Sequence, residues 1–268
     1  MISSTDLYAL LGQIYRNQSE IRLLNIYKGL PISYDASISS LANSEIHVTS
    51  NMYQIACMYH QRETYIQEKQ LPYTIRCQVM SLNLAKEDAL LANFEMVTND
   101  IGSRMNIRVE PNEPLVGVVQ FKGYPNKIIA PIADISIYGA SIFIDDFLFP
   151  VRLFQIGNEI SMAISFPEMT LQKTRKVILT GQSAENRGAR TLVRSTPAVG
   201  VDGKIEVNAW GKIMAVRPEL NENRYRVSIK FYIKDPERVL VSQYISQRQK
   251  EIIQDLRILS EELYSRKN

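Results

Sequence analysis

Histidine and cysteine are nearly missing from this chain of 268 residues, with two of each. His47 and His60 sit in unrelated runs with no carboxylate or cysteine at ligand spacing, which argues against a histidine metal site or catalytic dyad. Cys57 and Cys77 show no CxxC spacing and stand in apolar surroundings. They read as reduced, buried thiols of a cytosolic protein, with a single disulfide as the alternative. No run approaches about 18 uncharged apolar residues, so no transmembrane span is expected. The N-terminus "MISSTDLYALLGQIYRNQSEIRLL" has Asp6 early and no basic stretch before an apolar core, so no signal peptide is expected. A large charge excess is also absent: 31 Lys+Arg oppose 28 Asp+Glu, for a net charge of +3. That balance speaks against nucleic acid as a partner. No GxSxG, P-loop or HExxH occurs, so no catalytic residue is named and the chain is read as a non-enzyme.

The chain is instead rich in core-forming residues, 45% of it hydrophobic, and its length favours two domains. Ser4 or Thr5 caps an expected helix over 6–18, with Leu7, Leu10, Leu11 and Ile14 on one face. After Glu20 the pattern breaks into short strand-like pieces separated by Lys28-Gly29, Tyr34-Asp35 and Ala42-Asn43-Ser44. The runs "MYQIACMYHQRETYIQ" and "YTIRCQVMSLNLAKEDALLANFEM" continue it, giving an expected five to seven strands between residues 20 and 98. "LAKEDALL" has high helix propensity but reads as a hairpin loop or a single turn.

Residues 99–110 have the Gly, Asn and Pro content of a linker. Strand-like runs then resume: "LVGVVQFKG", "NKIIAPIADIS", "GASIFID", "EISMAISFPE", "KVILTGQSA", "GKIEVNAWGKIMAVRPE" and "RYRVSIKFY". The expected fold class is therefore all-β: two small antiparallel barrels, with an N-terminal helix and a C-terminal amphipathic helix. The expected boundaries are 1–98, a linker at 99–110, and 111–268. In the last helix Ile245, Ile252, Ile253, Leu256, Leu259 and Leu263 form one stripe, which covers an open end of the second barrel or, alternatively, a partner's helix. Trp210 reads as packing at a barrel end. The loop at 181–204, with Arg187, Arg190 and Arg194, reads as solvated, although an arginine in it could reach a bound ligand.

One constellation asks for a ligand. Arg104 and Arg108 are four apart in the linker, at most about 13 Å from each other in an extended chain. Planar guanidiniums make bidentate bonds to phosphate and stack on purines, so such a pair can clamp an anionic nucleotide. Downstream, "ADISIYGASIFID" places Asp134 and Ser136 two apart on one strand face, with Gly139 three further on. A carboxylate accepts the paired N–H donors of a guanine edge, and the serine hydroxyl bonds phosphate or locks the turn. The glycine permits a turn or a close approach.

"RMNIR" followed by "DISIYG" resembles the PilZ domain, a bacterial receptor module for cyclic di-GMP. The resemblance covers about residues 100 to 240. "FQIGNEISMAISFPE" is similar to that domain's central strands, and "WGKIMAVRPELNENRYRVSIKF" to its closing hairpin, where many members have glycine at the position of Ser228. The resemblance implies that each barrel is PilZ-like, the first a diverged copy of the kind found in flagellar-brake-like and tandem proteins. It also implies that Arg104, Arg108, Asp134, Ser136 and Gly139 bind cyclic di-GMP. Residues 1–98 do not reproduce the motif, so one site is expected. The implied protein is a bacterial, cytoplasmic signalling receptor that couples nucleotide binding to domain rearrangement and to an unknown partner in motility, polysaccharide or surface behaviour. The alternative is a PilZ-like interaction module that binds no nucleotide; turnover of a nucleotide is a third possibility.

Overall fold

The structure is a computed structural model that describes residues 4–68, Leu71, 73–97, 106–146, 152–167, 205–219 and 222–265. Arg104, the loop at 181–204 and the expected strand "KVILTGQSA" lie outside the described residues. By contact the chain divides into two units, Met1–Ile107 with Lys250–Asn268, and Arg108–Gln249.

The first unit contains helix α1 (Ser4–Arg16), strands β1 (Ile21–Tyr27), β2 (Leu30–Ala42) and β3 (Glu45–Ser50), helix α2 (Met52–Gln61), and strands β4 (Glu63–Gln67), β5 (Thr74–Asn83) and β6 (Asp88–Val97). Its strands close into an antiparallel barrel in the order β1-β2-β3-β6-β5-β4. Alternation puts Ile46, Val48, Ile66 and Ile75 inside, all fully buried with Leu23 and Leu91. Each such side chain contributes about 2 kcal/mol of burial. Helix α1 adds Leu7, Leu11 and Ile14 to the same core. Leu84 to Glu87 form the β5–β6 hairpin loop, tied by Asn83 Oδ1 accepting from Ala85 N at 3.0 Å.

Residues 52–61, expected as strand, are helix α2. Asn51 caps it by accepting from Tyr53 N at 2.8 Å, and Arg62 ends it in the left-handed region at φ 59°. The aromatic and apolar content that looked strand-like is instead a helix face. A buried polar knot docks that face. Asn25 on β1 donates to Gln61 Oε1 (2.6 Å) and to the Glu63 carbonyl (2.7 Å), and accepts from Gln54 (2.6 Å) and Thr64 (2.8 Å).

The second unit contains β7 (Val116–Phe121), β8 (Ile128–Ser136), β9 (Gly139–Asp145), β10 (Glu159–Phe166), β11 (Ile205–Pro218) and β12 (Arg224–Tyr232). These close in the order β10-β11-β12-β9-β8-β7, the same connection pattern as the first barrel. Even a detail repeats: β2 bulges between Ile38 and Ser40 against β3, and β8 bulges between Ile132 and Asp134 against β9.

Helix α3 (Asp235–Ser265) is shared by sequence between the units, with residues 235–249 in the second and 250–265 in the first. Its stripe is buried within the chain at Ile245, Ile252, Leu256 and Leu263, and an ion pair of Lys28 with Asp255 at 2.6 Å secures its later half. Ile253 lies off the stripe, 44% exposed. Trp210 does not pack at a barrel end: it stands on the outer face of β11, 57% exposed, because the alternation of that strand turns it away from Ala209 and Val207. Cys57 and Cys77 are free and buried. His47 does meet a carboxylate, Asp88 Oδ2 at 3.1 Å. Among the described residues no helix is long and apolar enough to cross a membrane, and no cluster of three or more His, Cys, Asp or Glu could hold a metal ion.

Candidate site on the second barrel

The β8 bulge sets the site. Before it, Ala130 and Ile132 point inward; after it, Ile135 is the core residue, fully buried. The extra residue shifts the phase, so Asp134 and Ser136 leave the barrel interior together. They are nevertheless covered, at 4% and 3% exposure. The cover is the segment ahead of β7. Val109 pairs with Ile135 in an isolated bridge, each N–H donating to the other's carbonyl at 3.0 Å. Arg248 of α3 holds the next residue, donating Nε to the Glu110 carbonyl at 2.8 Å.

This pairing delivers Arg108 to Asp134. Arg108 Nη1 donates to Asp134 Oδ1 at 3.0 Å and to Ser141 Oγ at 3.3 Å. The other carboxylate oxygen, Oδ2, accepts from Arg226 Nη2. Asp134 is therefore a buried carboxylate between two guanidiniums, a charge-assisted arrangement stronger than neutral hydrogen bonds. Ser136 Oγ donates to the Gly139 carbonyl at 3.0 Å and locks the two-residue turn between β8 and β9. At Gly139 the close approach comes from the chain itself: a Cβ there would stand 2.3 Å from the Ile229 carbonyl oxygen of β12. Ser228, opposite Ser141 in the register, lies with its Oγ 3.4 Å from the Ser141 hydroxyl. The position where glycine is common in the resembled family thus joins the hydrogen-bond chain that reaches Arg108.

Sequence reasoning passed over Arg226, Ser141 and the aromatic beside them. Arg224 lies over the Phe143 ring with its guanidinium carbon 3.6 Å from the centroid, and that of Arg226 is 5.8 Å away. Both arginines also have carboxylate partners, Arg224 with Glu222 and Arg226 with Glu219. An open cavity of about 400 Å³ adjoins them, lined by Glu110, Pro111, Asn112, Ala133, Phe143 and Arg226. The signal was present in "RYRVSIKFY", where Arg224, Arg226 and Ser228 alternate on one strand face. What sequence could not supply was the β9–β12 register that sets this face beside Asp134.

No protein-family model and no curated protein matches the chain. Several solved structures overlap it at low identity. The Bacillus subtilis inhibitor of motility MotI/DgrA is 12% identical, with a TM-score of 0.40 over 87% of this chain and 96% of its own. Escherichia coli YcgR in complex with c-di-GMP is 10% identical, with a TM-score of 0.37 over 95% and 94%. The K. pneumonia MrkH–c-di-GMP complex is 11% identical, with a TM-score of 0.35 over 98% and 97%. Overlaps of this size decide neither ligand nor partner for the present chain.

Proposed function

We propose that this protein is a receptor for cyclic di-GMP, binding it on the second barrel without turnover. The observation that carries the reading is the pairing of Arg108 with the buried Asp134, on the strand that also carries the buried Ser136, beside an open cavity with an aromatic wall. The site holds a guanidinium for phosphate or a purine face and a carboxylate for a guanine edge. Arg104, four residues ahead of Arg108 in the sequence, is the second half of the clamp.

In the structure Arg108 is engaged with Asp134 and Ser141. Binding exchanges these bonds for bonds to the nucleotide, so the cost of releasing Arg108 is offset by new charge-assisted bonds of the same kind. Arg104 and Arg108 close on the nucleotide, and a downstream partner reads the altered surface. The test is calorimetric titration with cyclic di-GMP, using cyclic GMP and GTP as controls, followed by mass spectrometry of the recovered ligand. Tight binding of cyclic di-GMP alone, recovered intact, is expected. Saturating cyclic di-GMP with no heat, or recovery of a cleaved product, overturns the reading. Small-angle scattering with and without ligand checks the rearrangement, and superimposable profiles would reject it.

A further inference from the structure

We infer that Arg226 is a positioning residue of this site: it holds Asp134 oriented and charge-balanced when the nucleotide draws Arg108 away. The inference rests on the nucleotide reading above and assigns the two guanidiniums at Asp134 different tasks. They bind different oxygens, Arg108 at Oδ1 and Arg226 at Oδ2. They are also mounted differently. Arg108 sits in irregular chain, just ahead of a single bridge pair. Arg226 sits mid-strand on β12, paired with Phe143 of β9 on one side and Arg217 of β11 on the other. Its side chain has a further carboxylate, Glu219 Oε1 at 3.8 Å, while among the described residues the further partner of Arg108 is the Ser141 hydroxyl. Of the two, Arg108 is the one free to swing.

The consequence follows from burial. The Asp134 side chain is 6% exposed. Once Arg108 turns to the ligand, a carboxylate so enclosed would be an unpaired buried charge unless a second cation stays. Arg226 is that cation. It occupies one lone pair of Oδ2 and leaves the remaining acceptor sites of the carboxylate for the guanine N–H donors, since an ionised carboxylate has about four.

The experiment titrates cyclic di-GMP by calorimetry into the full chain, wild type and carrying Arg226→Ala, Arg226→Lys, Asp134→Asn, or Arg226→Ala with Asp134→Asn. Circular dichroism confirms folding of each. Arg226→Ala should weaken binding by about 30-fold or more, a loss typical of one charge-assisted partner. Arg226→Lys should recover part of it, because a lysine supplies the charge without the planar fork. In the Asp134→Asn background the further loss of Arg226 should change affinity less than threefold. An Arg226→Ala affinity within threefold of wild type, or losses that multiply in the double variant, overturns the inference. If the wild type binds no cyclic di-GMP, the functional reading fails separately. The arrangement at Asp134 is then judged from denaturant midpoints of the ligand-free variants, followed by Trp210 fluorescence. Non-additive shifts for Arg226→Ala and Asp134→Asn support it, with a smaller shift for Arg108→Ala than for Arg226→Ala. Additive shifts reject it.

Discussion

The two barrels repeat each other closely enough to be compared position by position. Each has a second-to-third-strand hairpin with a two-residue turn and a bulge at the same place, Ile38/Ser40 in one and Ile132/Asp134 in the other. Counting from the turn, Ser40 stands where Asp134 stands, Ala42 where Ser136 stands, Glu45 where Gly139 stands, and His47 where Ser141 stands. On the sixth strand Asp88 takes the place of Arg226. The same backbone device thus supports a His47–Asp88 pair in the first barrel and an Arg108–Asp134–Arg226 cluster in the second. The bulge belongs to the fold; the charges mounted on it differ from one barrel to the other. Between its third and fourth strands the first barrel carries α2 and fastens it through Asn25.

The widest separation between the barrels should come from Gly139→Ala. Its methyl would collide with the Ile229 carbonyl, and over-packing against backbone costs about 3 kcal/mol. Glu45→Ala at the matching position should change stability by less than about 0.5 kcal/mol. Denaturant unfolding, with Trp210 fluorescence reading the second barrel, checks both, and equal effects would undo the comparison. Next comes Asn25→Ala, which strips partners from Gln54 and Thr64, both buried, and should cost about 2–3 kcal/mol. It should lower the melting temperature by circular dichroism while leaving cyclic di-GMP affinity unaltered. Arg108→Ala should do the reverse, weakening nucleotide binding by about 2 kcal/mol, roughly 30-fold, with the barrel still folded. Unchanged calorimetric affinity would remove Arg108 from the site.

The last contrast between the barrels is a pH dependence. Both cysteines belong to the first unit, Cys57 on α2 and Cys77 on β5. Burial pushes the Cys57 thiol from 9.0 up to about 12, and Cys77 is raised in the same sense by burial and then by the Glu63 carboxylate. Tyr65 is lifted to about 12, by burial first and then by Glu63. A raised folded value means the fold favours the neutral form. The stability this represents is complete below about pH 9 and is lost as pH rises toward 12, at most about 1.4 kcal/mol per pH unit for the Cys57 thiol. Between pH 9 and 11 the circular dichroism signal should therefore fall before Trp210 fluorescence changes. A Trp210 transition at lower pH than the dichroism loss would reverse the assignment.

Much of the plan was legible along the chain. Alternating apolar residues mark β3, β7 and β10 directly, because a half-buried strand must repeat every two residues. The i, i+3, i+4 spacing of Leu7, Leu11 and Ile14 marks α1 just as plainly. Helix α2 was missed because Tyr53, Ile55 and Tyr59 in "MYQIACMYHQ" gave it a strand-like content. Its cap at Asn51 was a weaker signal than its composition. Trp210 was misplaced because hydrophobicity alone does not say which face of β11 is covered.

Local order along the chain settles period and phase, since these depend on neighbours within a few residues; that much of the barrels, and the motif residues Arg108, Asp134, Ser136 and Gly139 as a pattern, was written in the residue order. Which side chains meet is decided by pairing between distant segments. The Val109–Ile135 bridge carries Arg108 onto Asp134 across 26 residues, and the β9–β12 register brings Arg226 there across 92. No window of sequence contains such contacts, because they exist only once the barrel has closed and the bulge has turned Asp134 outward.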